Sequence, residues 1–431
     1  MHPRYTSPEI ERIWSIESQY LAWQRVEVAV SRAWHDKGLI TAGDLKKIVD
    51  APPVSPKEVL AREKVVKHDV IAFIETLSSP LGMAGRWIHY GMTSNDLVDT
   101  AQAIRIRESF EVIFTSLSRL IKVLIRLSVE HKRSLMIGRT HNVHALPVTF
   151  GLKCLLWFTE CRRDIERLRK SAAGLMVGKI SGPVGTYSET SPVIEKKALS
   201  YLGLKPAPVT NQVIQRDRHA DAICSMAILA STLDKIAQEL RLLQHTEISE
   251  TEEPFTKGQR GSSAMPHKKN PVRLERISGL ARIIRGYVVP ALENISLWHE
   301  RDISNSSAER IIFPDAFSLT HFIIEEMTDI LKGLKVNKKR MAGNMSISNE
   351  IYFSESLLSE LVRAGVERNK AYGWIQAAAM DAVKKNVSLR LTAKKNKNIL
   401  GVLGDKCIDN CFKPDKLLKH IEKIYERCLK E

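Results

Sequence analysis

The segment 257–271, KGQRGSSAMPHKKNP, concentrates groups suited to binding an anion. Ser262 offers a small hydroxyl among glycines, and Lys268 is one of several neighbouring basic residues. Asn270 followed by Pro271 is typical of a helix start, where the helix dipole also favours negative charge. A plain surface linker would contain similar amounts of Gly, Ser and Pro, so composition alone leaves both interpretations open.

Two imidazoles lie close together in the segment 138–147, GRTHNVHALP. His141 and His144 are three residues apart, near the end of the first long predicted helix. Metal binding would need further ligands, and neither an HExxH pattern nor a nearby acidic group supplies them. General acid or base catalysis is therefore the favoured chemistry.

Two further titratable residues are predicted to point away from the apolar face of a helix. His68 lies nearly opposite the apolar stripe of its helical window, which places it either in water or in a cleft. Glu275 has the same placement in the helix after Pro271, and a solvated glutamate in the first turn is the simplest interpretation.

Two arginines flank a predicted helix start. Ser306, followed three residues later by Glu309, resembles a capping box, and Arg301 and Arg310 lie on either side of it. Two arginines in this position can clamp a carboxylate or a phosphate with forked hydrogen bonds, and they can equally form surface ion pairs.

The cysteines form no CxxC pair and are too sparse to staple a chain of this length: Cys154, Cys161, Cys224, Cys407, Cys411 and Cys428. We therefore predict reduced thiols in a cytosolic protein. Cys407 and Cys411 lie one helical turn apart, with His420 and Cys428 downstream, so a zinc site is conceivable. Ordinary helix positions are the favoured interpretation.

The elements that must position these residues are mainly helical, because apolar residues recur every three or four positions and alternating strands are scarce. Long helices are predicted at about 101–132, 150–176 and 216–250. A fourth begins after Pro271, and Pro290 should kink or end it. The sequence therefore predicts an all-α protein built around a bundle of long helices, with its polar segments in the connections.

Length, composition and charge narrow the class of protein. A chain of 431 residues corresponds to about three domains at roughly 150 residues each. Its apolar (44%) and charged (26%) fractions are those of a globular protein, which excludes a disordered chain. The net charge of +16 favours an anionic partner: nucleic acid, an acidic membrane, or a phosphorylated or carboxylated metabolite. Neither a signal peptide nor an apolar run of about 18 residues is apparent, so we predict neither secretion nor a membrane span.

Taken together, these segments resemble the fumarase/aspartase superfamily and, within it, the adenylosuccinate lyase family. The most specific match is the signature loop GSSAMPHKKNP. The resemblance extends over most of the chain through RYTSPEI, KHDVIAFI, HYGMTSNDLVDT, GRTHNVHALPVTFG, KISGPVGTY, QVIQRDRHAD and LWHERDISNSSAER. About the last eighty residues contain no sharp motif.

The resemblance implies a three-domain, all-α subunit. Its parts would be an N-terminal helical domain (1–92), a central long-helix bundle (93–342) and a C-terminal helical domain (343–431). It also implies a cytoplasmic homotetramer whose active sites combine loops of different subunits, with no metal or organic cofactor. The expected partner is a small anionic nucleotide, with no specific nucleic acid and no membrane.

The implied reaction is the elimination of fumarate from adenylosuccinate, giving AMP, and from the succinyl-aminoimidazole-carboxamide ribotide of purine synthesis. By resemblance, Ser262 is the base, His141 the general acid and Glu275 the carboxylate that orients His141, while Lys268 and His68 complete the catalytic set. A serine needs its alkoxide stabilised, which the positive loop would do. The substrate contacts implied by the family are Arg4, Tyr5, His68, Asp69, His89, Thr93, Ser94, Gln212, Lys268, Asn270, Arg301, Ser306 and Arg310.

The chain departs from the family pattern beside the proposed acid, where Asn142 replaces a glycine and Leu146 a glutamate. Asn tolerates left-handed backbone angles, so the first change is expected to preserve the turn. The second removes a carboxylate near His141. Three alternatives remain: argininosuccinate lyase activity, a catalytically idle family member, and a basic helical protein that binds nucleic acid.

Overall fold

A computed structural model describes residues 2–256 and 258–430 of the chain, so Lys257, which opens the predicted active segment, lies outside the described residues. Within these ranges the chain is mainly helical, as its periodicity predicts. The α-helices are α1 Pro8–Trp14, α2 Ile16–Asp36, α3 Ala42–Val49, α4 Pro56–Val66, α5 Asp69–Ser78, α6 Ser94–Glu130, α7 Phe150–Gly174, α8 Pro192–Leu202, α9 Asp217–Leu243, α10 Val272–Gly286, α11 Val288–Glu293, α12 Ser304–Gly333, α13 Lys338–Ser346, α14 Ser354–Arg363, α15 Arg368–Lys385, α16 Leu389–Lys395, α17 Lys397–Cys411 and α18 Ile421–Leu429.

Short 3-10 helices and strands connect the α-helices. The 3-10 helices are Pro3–Tyr5, Ser79–Trp87, Ile351–Phe353 and Pro414–Leu418. The strands are β1 Leu135–Thr140, β2 Val143–Thr149, β3 Val177–Gly178, β4 Lys205–Pro206, β5 Thr251–Glu252 and β6 Lys335–Val336. β1–β2 and β5–β6 are antiparallel pairs, and β3–β4 is parallel.

The long helices occur where periodicity predicts them, and their ends have local causes. α6 begins at Ser94 rather than near residue 101, because the Asp96 carboxylate accepts the Thr93 N–H at 2.8 Å. This contact is the carboxylate half of a capping box. α10 ends at Gly286, whose carbonyl is the one that the ring of Pro290 would meet in a continuous helix. The predicted break at Pro290 is confirmed, one turn upstream.

The helical window around His68 is divided into two helices. α4 ends at Val66, Lys67 adopts a left-handed conformation (φ 56°), and α5 begins at Asp69. His68 is the N-cap residue of α5, and its Nδ1 accepts the Ile71 N–H at 3.4 Å. The prediction that His68 lies on a helix face is therefore wrong.

The segment that carries His141 connects α6 to α7, as predicted, but it is a β-hairpin, and strands were not predicted there. Thr140 pairs with Val143, which leaves His141 (φ 53°) and Asn142 (φ 60°) as a two-residue turn with two left-handed residues. His and Asn are the side chains, after glycine, that occupy this region most readily. Asn142 thus adopts the left-handed conformation that the expected preservation of the turn requires.

The chain divides into two compact units. The first unit contains the residues up to Leu120, Cys161–Lys235 and Arg276–Met327. One of its cores joins α2, α5, α6 and α8, and within it the rings of Trp23 and Phe73 meet edge to face at 5.3 Å. The three-domain division by sequence stays a prediction.

The second unit contains Ile121–Glu160, Ile236–Glu275 and the residues from Thr328 onward. Its C-terminal helices α14 to α17 share a core that includes Phe353, Leu361, Ile399 and Cys411. Packing in this core is the role that the structure gives to Cys411.

A buried ion pair in the first unit fixes the start of α6. The side chains of Lys179 and Asp96 are both fully buried and form a direct salt bridge. Asp96 also accepts the N–H groups of Ser181 and Gly182, and Lys179 donates to the Gly182 carbonyl at 3.2 Å. One carboxylate thus joins the loop after β3 to the turn that carries Thr93.

We expect Asp96→Ala to lower the free energy of unfolding by about 3–5 kcal/mol, because it leaves the Lys179 charge buried without its partner. Urea-induced unfolding followed by circular dichroism measures the loss. Lys46→Ala is the control, since it removes the Lys46–Asp50 pair, which is exposed on both sides. An Asp96→Ala protein as stable as that control would contradict the prediction.

Candidate active site

A cavity of about 470 Å³ in the first unit brings together six of the predicted substrate residues. They come from the start of α5, the start of α6 and the region in and before α12, and are His68, Asp69, Ser94, Arg301, Ser306 and Arg310. Hydrogen-bond donors predominate in this set, which suits a ligand with several anionic groups.

A buried network holds α12 in place beside this cavity. The Arg216 guanidinium binds both oxygens of Asp99, at 2.8 and 2.9 Å, and Oε1 of Glu309 at 2.7 Å. Burial alone would raise the pKa of Asp99, but the charge and hydrogen bonds of Arg216 lower it below its ordinary value.

The Glu309 carboxylate binds Arg216, so it does not cap a helix at Ser306. α12 begins at Ser304, whose N–H is accepted by Asp302 at 2.8 Å, and the predicted capping box is wrong.

The Arg301 guanidinium has one N–H group without an acceptor among the described residues. Its Nη1 donates to Oε1 of Gln212 at 3.0 Å, which also places Gln212 beside the cavity. Its buried Nε has no hydrogen-bond partner among the described residues. Burial, and secondarily the charge of Arg216, lower its pKa, although a guanidinium stays protonated at neutral pH. An oxygen atom of a bound ligand could accept this N–H.

Arg310 and Asp69 form an ion pair on the cavity wall, with Nη2 and Oδ2 2.5 Å apart. Asp69 Oδ1 accepts the Val70 N–H at 2.8 Å. The Nδ1 atom of His68 accepts a backbone N–H of α5. Its Nε2 atom is the ring nitrogen that remains for a ligand. The start of α5 thus presents an imidazole and a carboxylate, and α12 adds the guanidinium of Arg310 beside them.

Four other predicted contacts also belong to the first unit. Thr93 adjoins Ser94 at the start of α6. Arg4 and Tyr5 lie in the first 3-10 helix, where the Tyr5 ring meets Phe322 at 5.7 Å. The imidazole of His89 binds the carboxylate of Glu27 at 2.8 Å.

The remaining predicted residues belong to the second unit. The hairpin is held at its base by Arg139, whose two terminal nitrogens bind the fully buried Glu250 carboxylate at 3.0 and 2.9 Å. Asn344 donates to the same carboxylate at 2.8 Å. This anchoring leaves His141 exposed at the tip.

The signature loop folds around the Ser262 hydroxyl. Ser262 Oγ accepts the N–H groups of Ala264 at 3.3 Å and Met265 at 3.1 Å, and both donors would stabilise an alkoxide. Asn270 Nδ2 donates to the Gly261 carbonyl at 2.9 Å and closes the loop. A Cβ at Gly261 would lie 2.2 Å from the Lys268 carbonyl oxygen, so only glycine fits. The Lys268 side chain is exposed.

The N-terminus of α10 is already occupied by a side chain. The Glu253 carboxylate accepts the N–H groups of Arg273 at 3.3 Å and Leu274 at 3.1 Å. The prediction that Asn270 caps this helix is wrong. Glu275 lies exposed in the first turn, as predicted. Within one chain it forms no hydrogen bond or ion pair with His141, and that pairing stays a prediction.

Two features are absent from the described residues: a cluster of metal ligands and a membrane-spanning helix. In residues 2–256 and 258–430, no group of three or more His, Cys, Asp or Glu side chains is arranged to hold a metal ion. No α-helix in that part of the chain combines the length and hydrophobicity needed to cross a bilayer.

Several residues that shape these regions were missed by sequence reasoning. They are buried acids and their partners, each distant in sequence from the group it holds: Glu27, Asp99, Arg216, Glu250 and Glu253. Only the contact between Thr93 and Asp96 has a local signal, the pattern T-x-x-D ahead of an apolar run.

Known proteins resemble this chain along nearly its whole length. The model of the Lyase family matches residues 6–286, and that of the adenylosuccinate lyase C-terminus matches residues 350–428. The chain is 46% identical to adenylosuccinate lyase of Aquifex aeolicus over 99% of its own length and 98% of that protein's. It is 42% identical to the Bacillus subtilis enzyme over 99% of each chain. The Thermotoga maritima enzyme is 41% identical over the full length of both.

Solved structures with low sequence identity show the same fold. A fumarate lyase from Mesorhizobium sp. BNC1 superposes with a TM-score of 0.91 at 24% identity, covering 100% of this chain and 99% of that one. A 3-carboxy-cis,cis-muconate lactonizing enzyme from Pseudomonas putida gives 0.88 at 24% identity, covering 99% and 97%. The predicted helical, fumarase/aspartase-like fold is confirmed, and so is the resemblance found in the sequence. The chain belongs to the adenylosuccinate lyase family.

Proposed function

We propose that this enzyme eliminates fumarate from adenylosuccinate, giving AMP, and from the succinyl-aminoimidazole-carboxamide ribotide of purine synthesis. The observation that carries the proposal is identity above 40% with adenylosuccinate lyases along the full chain. In the reaction a proton leaves the carbon beside one carboxylate of the succinyl group. The carbon–nitrogen bond then breaks, its electrons pass to the nitrogen with a proton, and a carbon–carbon double bond remains.

The cavity of the first unit is the proposed binding site for the anionic substrate. Arg301, Ser306 and Arg310 present donors from α12 and the segment before it. The Nε of Arg301 has no acceptor in residues 2–256 and 258–430, and a phosphate or carboxylate oxygen would supply one. His68, Asp69 and Ser94 supply further polar groups on the same cavity wall. Arg4, Tyr5, His89, Thr93 and Gln212 are proposed contacts of the same substrate.

The second unit supplies the proposed proton-transfer groups. Ser262 acts as the base, because two backbone N–H groups and the positive loop favour its alkoxide. Lys268 and Asn270 belong to the same loop, with Lys268 stabilising the carboxylate beside the carbanion. His141 protonates the leaving nitrogen, Glu275 orients it, and His68 assists. The elimination so described requires no metal or organic cofactor.

We propose a homotetramer in which these groups meet across subunits. Large apolar side chains exposed by 36 to 79% on and between the long helices support an oligomeric interface: Leu156, Ile228, Leu242, Ile283, Val289, Leu292, Trp298, Ile303 and Ile311. A monomer would leave these side chains in water. The cytoplasm is the proposed location, and the net charge of +16 would steer the anionic substrate rather than bind specific nucleic acid.

The direct test is to incubate the purified protein separately with adenylosuccinate and with argininosuccinate, and to follow fumarate release. We expect fumarate from adenylosuccinate alone. Release from argininosuccinate alone would show that the proposed substrate is wrong. Release from neither substrate would indicate a family member without catalytic activity.

A further inference from the structure

His89 has an unusual backbone conformation that one buried side chain maintains. Its φ of 63° is left-handed, a region that non-glycine residues seldom occupy. Its backbone N–H donates to Glu27 Oε2 at 2.7 Å, and its ring Nδ1 lies 2.8 Å from Glu27 Oε1. Glu27 comes from α2, and its side chain is only 1% exposed. One carboxylate therefore binds both the backbone and the side chain of His89.

Such a double attachment has a physical consequence. A non-glycine residue keeps a left-handed backbone only where several surrounding contacts hold it in that conformation. Such residues cluster at functional sites. Here the two oxygens of one buried carboxylate fix the backbone and the ring at the same time. The orientation of the imidazole therefore depends on Glu27 rather than on free rotation of the His89 side chain.

The carboxylate also determines which ring nitrogen carries a proton. An ionised glutamate can only accept hydrogen bonds, so Nδ1 must be protonated and Nε2 is the atom left for a ligand. The charged groups that act on the ring are Glu27 from α2 and Asp96 from α6. Burial opposes the imidazolium, but these two carboxylates outweigh it and raise the pKa of His89.

We infer that Glu27 is a positioning residue, which holds His89 so that its Nε2–H is presented as a cationic donor to an anionic group of the substrate. The inference rests on the proposed function, in which His89 contacts that substrate. It adds to that function a buried carboxylate, distant in sequence, on which one substrate contact depends.

The test is Glu27→Gln, a change of nearly equal volume. The glutamine carbonyl can still accept one N–H of His89, but its amide group donates, so Nδ1 must become an acceptor and the ring becomes neutral. We expect KM for adenylosuccinate to rise roughly tenfold near neutral pH, since a charge-assisted hydrogen bond is lost. We expect kcat to stay within about threefold, because Glu27 acts on binding rather than on the proton transfers.

The dependence of KM on pH separates positioning from general damage. His89 of the unaltered enzyme is protonated at low pH, so KM should be low there and rise as the pH increases through the raised pKa, above about 6.5. Glu27→Gln should not show that rise, since its His89 is already neutral. His89→Gln, which leaves Glu27 in place, should lose the same rise. Retention of the rise in either variant would overturn the inference.

A double-mutant cycle completes the test. If Glu27 acts through His89, adding Glu27→Gln to His89→Gln should not raise KM further, whereas independent effects would multiply. Multiplication of the two effects would overturn the inference. Absence of fumarate release by the unaltered enzyme would instead remove the proposed function, so the two failures are distinguishable.

Discussion

Replacing Ser262 with alanine is expected to lower kcat for fumarate release by about 10²- to 10⁴-fold, the usual contribution of a positioned base. The hydroxyl oxygen accepts two backbone N–H groups, from Ala264 and Met265, within a loop rich in positive charge. These donors favour the alkoxide over the alcohol, and alanine removes the only atom that they can stabilise. KM should change little, because the substrate contacts of the first unit are untouched.

The neighbouring hydroxyl provides a matched control. Ser263 lies next to Ser262 in the same loop and is more exposed. Ser263→Ala changes the same number of atoms in the same segment, and we expect it to retain most of the turnover. Steady-state rates of the two variants, with circular dichroism and gel filtration to show an unchanged fold and assembly, decide the assignment. A larger loss in Ser263→Ala would transfer the role of base to that residue.

Helices were predictable from the sequence because their cause is local. α6, α7 and α9 occur close to their predicted positions, since an apolar stripe at the helical period must be buried against something. Their ends were less predictable where the cause is a polar side chain. The start of α6 depends on Asp96. The division between α4 and α5 depends on the left-handed backbone of Lys67, which the residue type lysine does not predict.

The hairpin was missed for a different reason. Its turn is formed by His141 and Asn142 rather than by the Asn-Gly or Asp-Gly pairs that signal a tight hairpin. Pro147 further weakens the strand pattern, although proline is tolerated in a two-stranded pair, where each strand is an edge. The family resemblance could nevertheless assign numbers to the proposed site residues, because motif matching does not depend on the secondary structure.

What sequence reasoning could not supply is the set of residues that hold those motifs. Glu27 lies 62 positions from His89, Arg216 lies 93 positions from Glu309, and Glu250 lies 111 positions from Arg139. Each is a buried charge, and burial of a charge is tolerated when partners bind it. One sequence contains no signal linking two such positions, so these pairings became visible only when the chain was folded.

The second large effect concerns His141, whose replacement by alanine should lower kcat about 10²- to 10⁴-fold by removing the proton donor to the leaving nitrogen. His144→Gln is the matched control. The His144 ring is half-buried and contacts Ser348 Oγ, and burial together with Arg139 lowers its pKa. We therefore expect His144→Gln to retain most of the turnover. Equal losses of kcat in both variants would mean that turnover depends on the structure of the hairpin rather than on the His141 imidazole.

Mixing the inactive His141→Ala and Ser262→Ala proteins tests whether one active site uses both residues from different subunits. If it does, subunits reassociated in equal amounts should restore activity in about one quarter of the sites, because each site draws the two residues independently. If both residues came from the same chain, every chain in the mixture would carry a defect and no activity would return. Fumarate release after denaturation and joint refolding, compared with separate refolding of each variant, therefore distinguishes a shared site from a self-contained one.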